Sequence, residues 1–243
     1  MTSPDTVLEV RALLICNQGE SDAGFVGDRL EQHDFTFTRL SREHPGEWPS
    51  LDGVDLLVHL GSEWSVYWEQ LQREVAAESA LMGEAHRRGV PIFGICFGGQ
   101  MLAKTLGGDV ARAKKSEIGW HDVLATPENA VVGGRWMQWH HDVFSVPVNA
   151  TTLALTDVGP QAFVSRRSLG TQFHPEANEA IVTSWMSGDG VLDLVANDLT
   201  PAGLLEETRH EVVRSEGAAH QLVDWFLSSV ASAPLPKNAR VGN

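Results

Sequence analysis

Strand-length apolar runs and stretches with helical spacing alternate along this chain. Residues 10–16 predict a first strand, 22–32 a first helix, 35–40 a second strand and 54–60 a third. A helix is expected from about residue 67 to 88, with Leu71, Val75, Ala76 and Leu81 on one face, leading into a short buried strand at 90–95. Residues 100–106 read as another helix, closed by Gly107-Gly108, and shorter strands are expected at 118–125, 152–156, 161–165 and 171–173. Residues 186–201 read as a loop with one helical turn, and 204–230 as a helix packing Val212, Leu222, Trp225 and Phe226. This order predicts an α/β fold, a doubly wound and mostly parallel sheet with flanking helices. The expected organisation is one domain over residues 1–230 followed by a disordered tail at 231–243.

Composition narrows the function. The 243 residues are 42% hydrophobic, enough for a sizeable core, and 18 Lys and Arg face 32 Asp and Glu, a net charge of −14. Without a basic cluster, nucleic acid is not an expected partner. No apolar stretch reaches the roughly 20 residues needed to span a bilayer, and the first residues lack a signal pattern, so no membrane association and a cytoplasmic location are expected. The two cysteines, Cys16 and Cys96, give no disulfide framework and fit a reducing compartment.

Gly94-Ile95-Cys96-Phe97-Gly98-Gly99-Gln100 places a cysteine on a sharp turn between an apolar strand and a helix. Glycines two before and two after Cys96 match a nucleophile elbow, in which missing side chains let the chain reverse and expose the sulfur. The helix starting just beyond it supplies partial positive charge and favours the thiolate. A lone Cys among apolar residues is more often an inert core thiol. A second segment shifts that balance. In Gly170-Thr171-Gln172-Phe173-His174-Pro175-Glu176, residues i and i+2 of an extended or turning segment point the same way, so His174 and Glu176 can lie side by side. His174 can then exchange a proton with Cys96 while Glu176 orients the ring.

Together the two motifs resemble the class I, triad-type glutamine amidotransferase domain, and the likeness runs in order from about residue 50 to 190. Gly61-Ser62, after the third strand, stands where that family places its oxyanion loop, and Ser116 to Trp120 and Trp139-His140-His141-Asp142 resemble two further family segments. Within the family the resemblance is to stand-alone members similar to the amidotransferase domain of guanylate synthetase and to the γ-glutamyl peptidases, with no synthetase domain following. Gly99 departs from the pattern, since many relatives carry a bulkier residue there; a wider pocket and no effect are both open.

The resemblance implies a flavodoxin-like sheet and a triad of Cys96, His174 and Glu176. It places oxyanion donors at Gly61, Ser62 and Phe97, and a γ-glutamyl thioester on the way to glutamate and ammonia or amine. The implied substrate is glutamine or a γ-glutamyl small molecule, with a separate synthetase subunit as partner or none, and no cofactor. Gln100 is a substrate contact or a structural cap, and Glu117 a substrate contact or part of a salt bridge; His140 is a third candidate for substrate. The ten histidines include His140-His141, yet no further Cys or His stands at ligand spacing, so no metal site is expected. A non-catalytic regulatory role has no need for an intact Cys96, His174 and Glu176.

Overall fold

The computed structural model describes residues 10–235. The first half alternates β1 (Val10–Cys16), α1 (Gly24–Gln32), β2 (Phe35–Ser41), β3 (Leu56–His59), α2 (Gln72–Arg88), β4 (Ile92–Ile95) and α3 (Phe97–Thr105). Five strands follow: β5 (Val110–Ala125), β6 (Gly134–Phe144), β7 (Thr151–Leu155), β8 (Pro160–Ser165) and β9 (Ser168–Thr171). Helices α4 (Glu179–Trp185), α5 (Gly190–Ala196) and α6 (Pro201–Trp225) complete the chain, the last passing into a π-helical turn at Phe226–Ala231. The nine strands form one sheet in the order β2-β1-β3-β4-β9-β8-β7-β5-β6. From β2 to β9 neighbours are parallel, and from β9 to β6 antiparallel.

Both faces of the parallel half are covered, and β1 shows why its run from Ala12 to Cys16 is apolar throughout. Ala12, Leu14 and Cys16 join the core beneath α1 and α6, while Leu13 and Ile15 join the core beneath α2 and α3. A third cluster, with Ile118, Trp120, Met137, Val182, Leu194 and Leu204, lies between the antiparallel arm and the C-terminal helices. Among the described residues no helix is long and apolar enough to cross a membrane.

Several elements depart from the sequence expectation for identifiable reasons. Residues 134–144, with no strand expected, form β6: its inward positions include Gln138, His140 and Asp142, so a buried strand carries a polar pattern. The strand expected at 118–125 begins at Val110, and the added arm is bulged between Arg112 and Glu117. Helix α6 starts three residues early because Thr200 caps it by accepting from the Gly203 N–H, with Pro201 in the first turn. On α2 the buried positions are Val75, Glu78, Met82 and Ala85; Ala76, expected inside, faces solvent. Of the tail expected to be disordered, residues 231–235 are described, and Arg167 Nε donates to the Ala233 carbonyl at 2.7 Å. Residues 236–243 lie outside the described part.

Candidate active site

The carboxyl ends of parallel strands leave unpaired backbone groups and loops on one rim of the sheet, the usual place for ligands in such folds. Here the ends of β3, β4 and β9 bring together Leu60-Gly61-Ser62, Cys96 and the segment after Thr171. Cys96 sits between β4 and α3 with φ 50° and ψ −109°, a strained backbone for any residue with a side chain. It persists because its N–H donates to the Thr171 carbonyl at 2.9 Å and its carbonyl accepts from the Gln100 N–H, also at 2.9 Å.

The glycines around the turn are required by contact. A Cβ on Gly94 would stand 2.5 Å from the Gly98 carbonyl oxygen, and one on Gly98 2.3 Å from that of His59. Gly99 backs onto β9, where a Cβ would lie 2.3 Å from the Thr171 carbonyl oxygen, so its small size serves packing. We expect Gly98→Ala to push α3 off β3 and to cost about 2–3 kcal/mol of stability. A lower urea midpoint with an unchanged slope checks this.

His174 and Glu176 lie side by side as their spacing predicts, with Nδ1 and Oε1 2.7 Å apart and both residues buried. The His174 N–H donates to the Met137 carbonyl at 2.9 Å, which ties the segment to β6. Burial pushes the His174 pKa down, but Glu176 and then the Cys96 sulfur outweigh it and carry it up to about 10. His174 Nε2 itself makes no hydrogen bond of ordinary geometry. The Cys96 sulfur is nonetheless near enough to raise the His174 pKa, and catalytic pairs of this kind often tighten only around substrate. Gly61 is wedged against both partners: a Cβ there would lie 3.0 Å from His174 Cε1 and 3.5 Å from the Cys96 Cβ. Neither the Gly61 nor the Ser62 N–H donates to another described group, and Phe97, as the first residue of α3, has no intrahelical acceptor.

The sulfur has neighbours that sequence reasoning missed. Gln172 Nε2 lies 3.6 Å from Cys96 Sγ, and the thiol approaches the Trp139 carbonyl at 3.8 Å. Gln172 follows the last residue of β9 and stands two before His174. The Trp185 ring packs on His174 with centroids 4.6 Å apart and meets Trp139 edge-on. Cys96 is only 4% exposed, and the surface recess lined by Lys115, Trp120, His121, Asn197, Leu199 and Glu207 lies elsewhere. What marks the site is the convergence of thiol, imidazole and carboxylate, not a surface hollow.

The three candidate substrate contacts, Gln100, Glu117 and His140, all make hydrogen bonds within the protein. Gln100 Nε2 donates to the Asp142 carbonyl and to Gln172 Oε1, each at 3.3 Å. His140 has both ring nitrogens committed, Nδ1 to the Asp142 carbonyl at 3.0 Å and Nε2 to Glu117 at 3.1 Å. Glu117 Oε2 also accepts from Gln161 and Thr156, so Glu117 and His140 form a buried polar link between strands, and neither offers this oxygen or these nitrogens to a ligand. Asp142 accepts from Ser65 Oγ at 2.5 Å and Tyr67 Oη at 2.8 Å, pinning the loop beyond Ser62. Among the described residues no group of three or more His, Cys, Asp or Glu is arranged to hold a metal.

Comparison with known proteins gives the arrangement a family. The family model described as "Glutamine amidotransferase class-I" matches residues 70–182. A glutamine amidotransferase structure from Thermotoga maritima is 30% identical, with TM-score 0.81 over 91% of this chain and 99% of that one. The chain belongs to the class I glutamine amidotransferase family. A glutamine amidotransferase structure from Methylobacillus flagellatus, 19% identical with TM-score 0.77 over 94% of this chain and 98% of that one, shares the amidotransferase fold. Glutamine-hydrolysing GMP synthase of Serratia proteamaculans is 30% identical over 154 residues, 56% of this chain but 29% of that enzyme. The chain thus matches less than a third of the length of this curated amidotransferase relative.

Proposed function

We propose that this amidotransferase hydrolyses the γ-glutamyl amide bond of glutamine or a related γ-glutamyl compound through a thioester on Cys96. The observation that carries the reading is the buried His174–Glu176 pair beside the elbow sulfur, with the ring held protonated to about pH 10. A protonated His174 next to the sulfur favours the thiolate, which attacks the amide carbon. The N–H groups of Gly61, Ser62 and Phe97 stabilise the oxyanion. His174 passes its Nε2 proton to the departing nitrogen, the C–N bond breaks and the thioester remains. Water then gives a proton to His174 and attacks the thioester, releasing glutamate and restoring the thiolate and the imidazolium. No metal or organic cofactor enters these steps.

The names of the curated relatives support a role as ammonia donor to a synthetase, and we propose that role ahead of independent hydrolysis of substituted γ-glutamyl amides. The test is to challenge the purified protein with glutamine and a panel of γ-glutamyl amides, and to map its adduct with a glutamine-derived diazoketone by mass spectrometry. We expect one adduct, on Cys96. Cys16 is buried, which pushes its thiol pKa up against the pull of Arg42, and its Sγ sits 3.9 Å from the Leu40 carbonyl. Labelling of Cys16 in place of Cys96 overturns the assignment. Brisk turnover of a substituted amide reverses the order of the two roles.

A further inference from the structure

Arg42, just beyond the end of β2, is wholly buried. A guanidinium has five N–H donors, and here five contacts take them up. Nε lies 2.8 Å from Glu78 Oε2, and one terminal nitrogen 2.6 Å from Asn17 Oδ1 and 3.3 Å from the Gly61 carbonyl. The other lies 3.0 Å from the Leu60 carbonyl and 3.3 Å from Glu78 Oε1. The same group stands 4.7 Å above the centre of the Phe97 ring. One cation therefore touches the chain on both sides of the elbow sulfur, at Leu60-Gly61 and at the first residue of α3.

In a planar trans peptide the C=O and N–H point in opposite directions. A group that grips the Leu60 carbonyl aims the Gly61 N–H away from itself, and a grip on the Gly61 carbonyl does the same for the Ser62 N–H. Gly61 lies against His174 and Cys96, so these N–H groups belong to the wall of the site. We propose that Arg42 is the positioning residue of the oxyanion hole, holding the Leu60-Gly61-Ser62 backbone and Phe97 from behind so that their N–H groups stay aimed at the attacked carbonyl. The proposal rests on the γ-glutamyl hydrolysis reading above. Glu78 supplies the counter-charge: burial pushes its pKa up, yet Arg42 and then His59 bring it down to about 2. His59 Nδ1 lies 2.9 Å from Glu78 Oε1, which links the pair to the last residue of β3. Lysine, with three donors on one atom, cannot make this fork.

Two alkylating probes separate positioning from general loosening. The glutamine-derived diazoketone must seat its ketone oxygen in the oxyanion hole, whereas iodoacetamide is displaced directly at carbon and needs only a reactive thiolate. The variants are Arg42→Lys, which keeps the charge, and the double change Arg42→Met with Glu78→Met, which leaves no unpaired buried charge. We expect both to be labelled at Cys96 by the diazoketone about 10²-fold more slowly than the wild type, a loss of the size seen when an oxyanion donor is removed. Iodoacetamide labelling should stay within about twofold, and kcat should fall about 10²-fold with little change in KM. Equal slowing of both probes, or no slowing of either, overturns the proposal. A wild type that the diazoketone fails to label at Cys96 overturns the γ-glutamyl reading instead.

Discussion

Replacing Cys96 by serine should lower γ-glutamyl amide turnover by at least about 10⁴-fold while leaving the fold and its urea midpoint nearly unchanged. The size of the loss follows from how the imidazole is set. With its pKa carried up to about 10, His174 rests as an acid beside the Cys96 sulfur. A serine hydroxyl needs the opposite, a neutral imidazole able to remove its proton, and the Glu176 carboxylate beside the ring works against one. Cys16→Ser is the matched control, since Cys16 lies at the end of β1 with its thiol directed at the Leu40 carbonyl. Glutamate release and diazoketone labelling of the two variants give the comparison. Retention of more than about 1% of wild-type turnover by Cys96→Ser would be incompatible with a thioester route.

His174→Asn is expected to cost about 10³-fold in kcat/KM, because the departing nitrogen loses its proton donor and the thiolate loses its cation. The pH dependence carries the sharper signature. Wild-type kcat/KM should hold through neutral pH and fall as pH passes about 10, where His174 gives up its proton. Glu176→Gln should move that fall to lower pH, because burial, the largest influence on the ring, then meets less opposition. Stability follows the same sign. A histidine whose folded pKa lies above its ordinary 6.5 adds stability that is full below 6.5 and is lost as pH rises towards 10. Urea unfolding across that interval should show the decline in wild type and a flatter profile in His174→Asn. An alkaline limb that stays in place in Glu176→Gln would remove Glu176 from the relay.

Much of the site was legible because its signals are local. The G-x-C-x-G spacing and the apolar strand before it define a turn within six residues, and the i, i+2 spacing of His174 and Glu176 sets their contact without any other part of the chain. The same reading missed Gln172, because a glutamine next to a catalytic pair has no spacing signature of its own. It left Glu117 open between a substrate contact and a salt bridge and named His140 a candidate for substrate, and the fold turns the two towards each other across β5 and β6. The hidden strand β6 has the same cause: alternation is present, but inward positions filled by Gln138, His140 and Asp142 read as polar until their partners are known.

Fold class, the alternation of strands and helices along the chain, the nucleophile's turn and the histidine–carboxylate pair were written in short-range patterns, since backbone propensity and periodicity act over a few residues. The tertiary structure alone decided that Cys96 and His174 meet, that Glu78 is inside and Ala76 outside, and that Arg42 reaches both Gly61 and Phe97. A charged or polar side chain is buried only when distant parts of the chain supply its hydrogen bonds and counter-charge, and that supply is a property of the folded sheet.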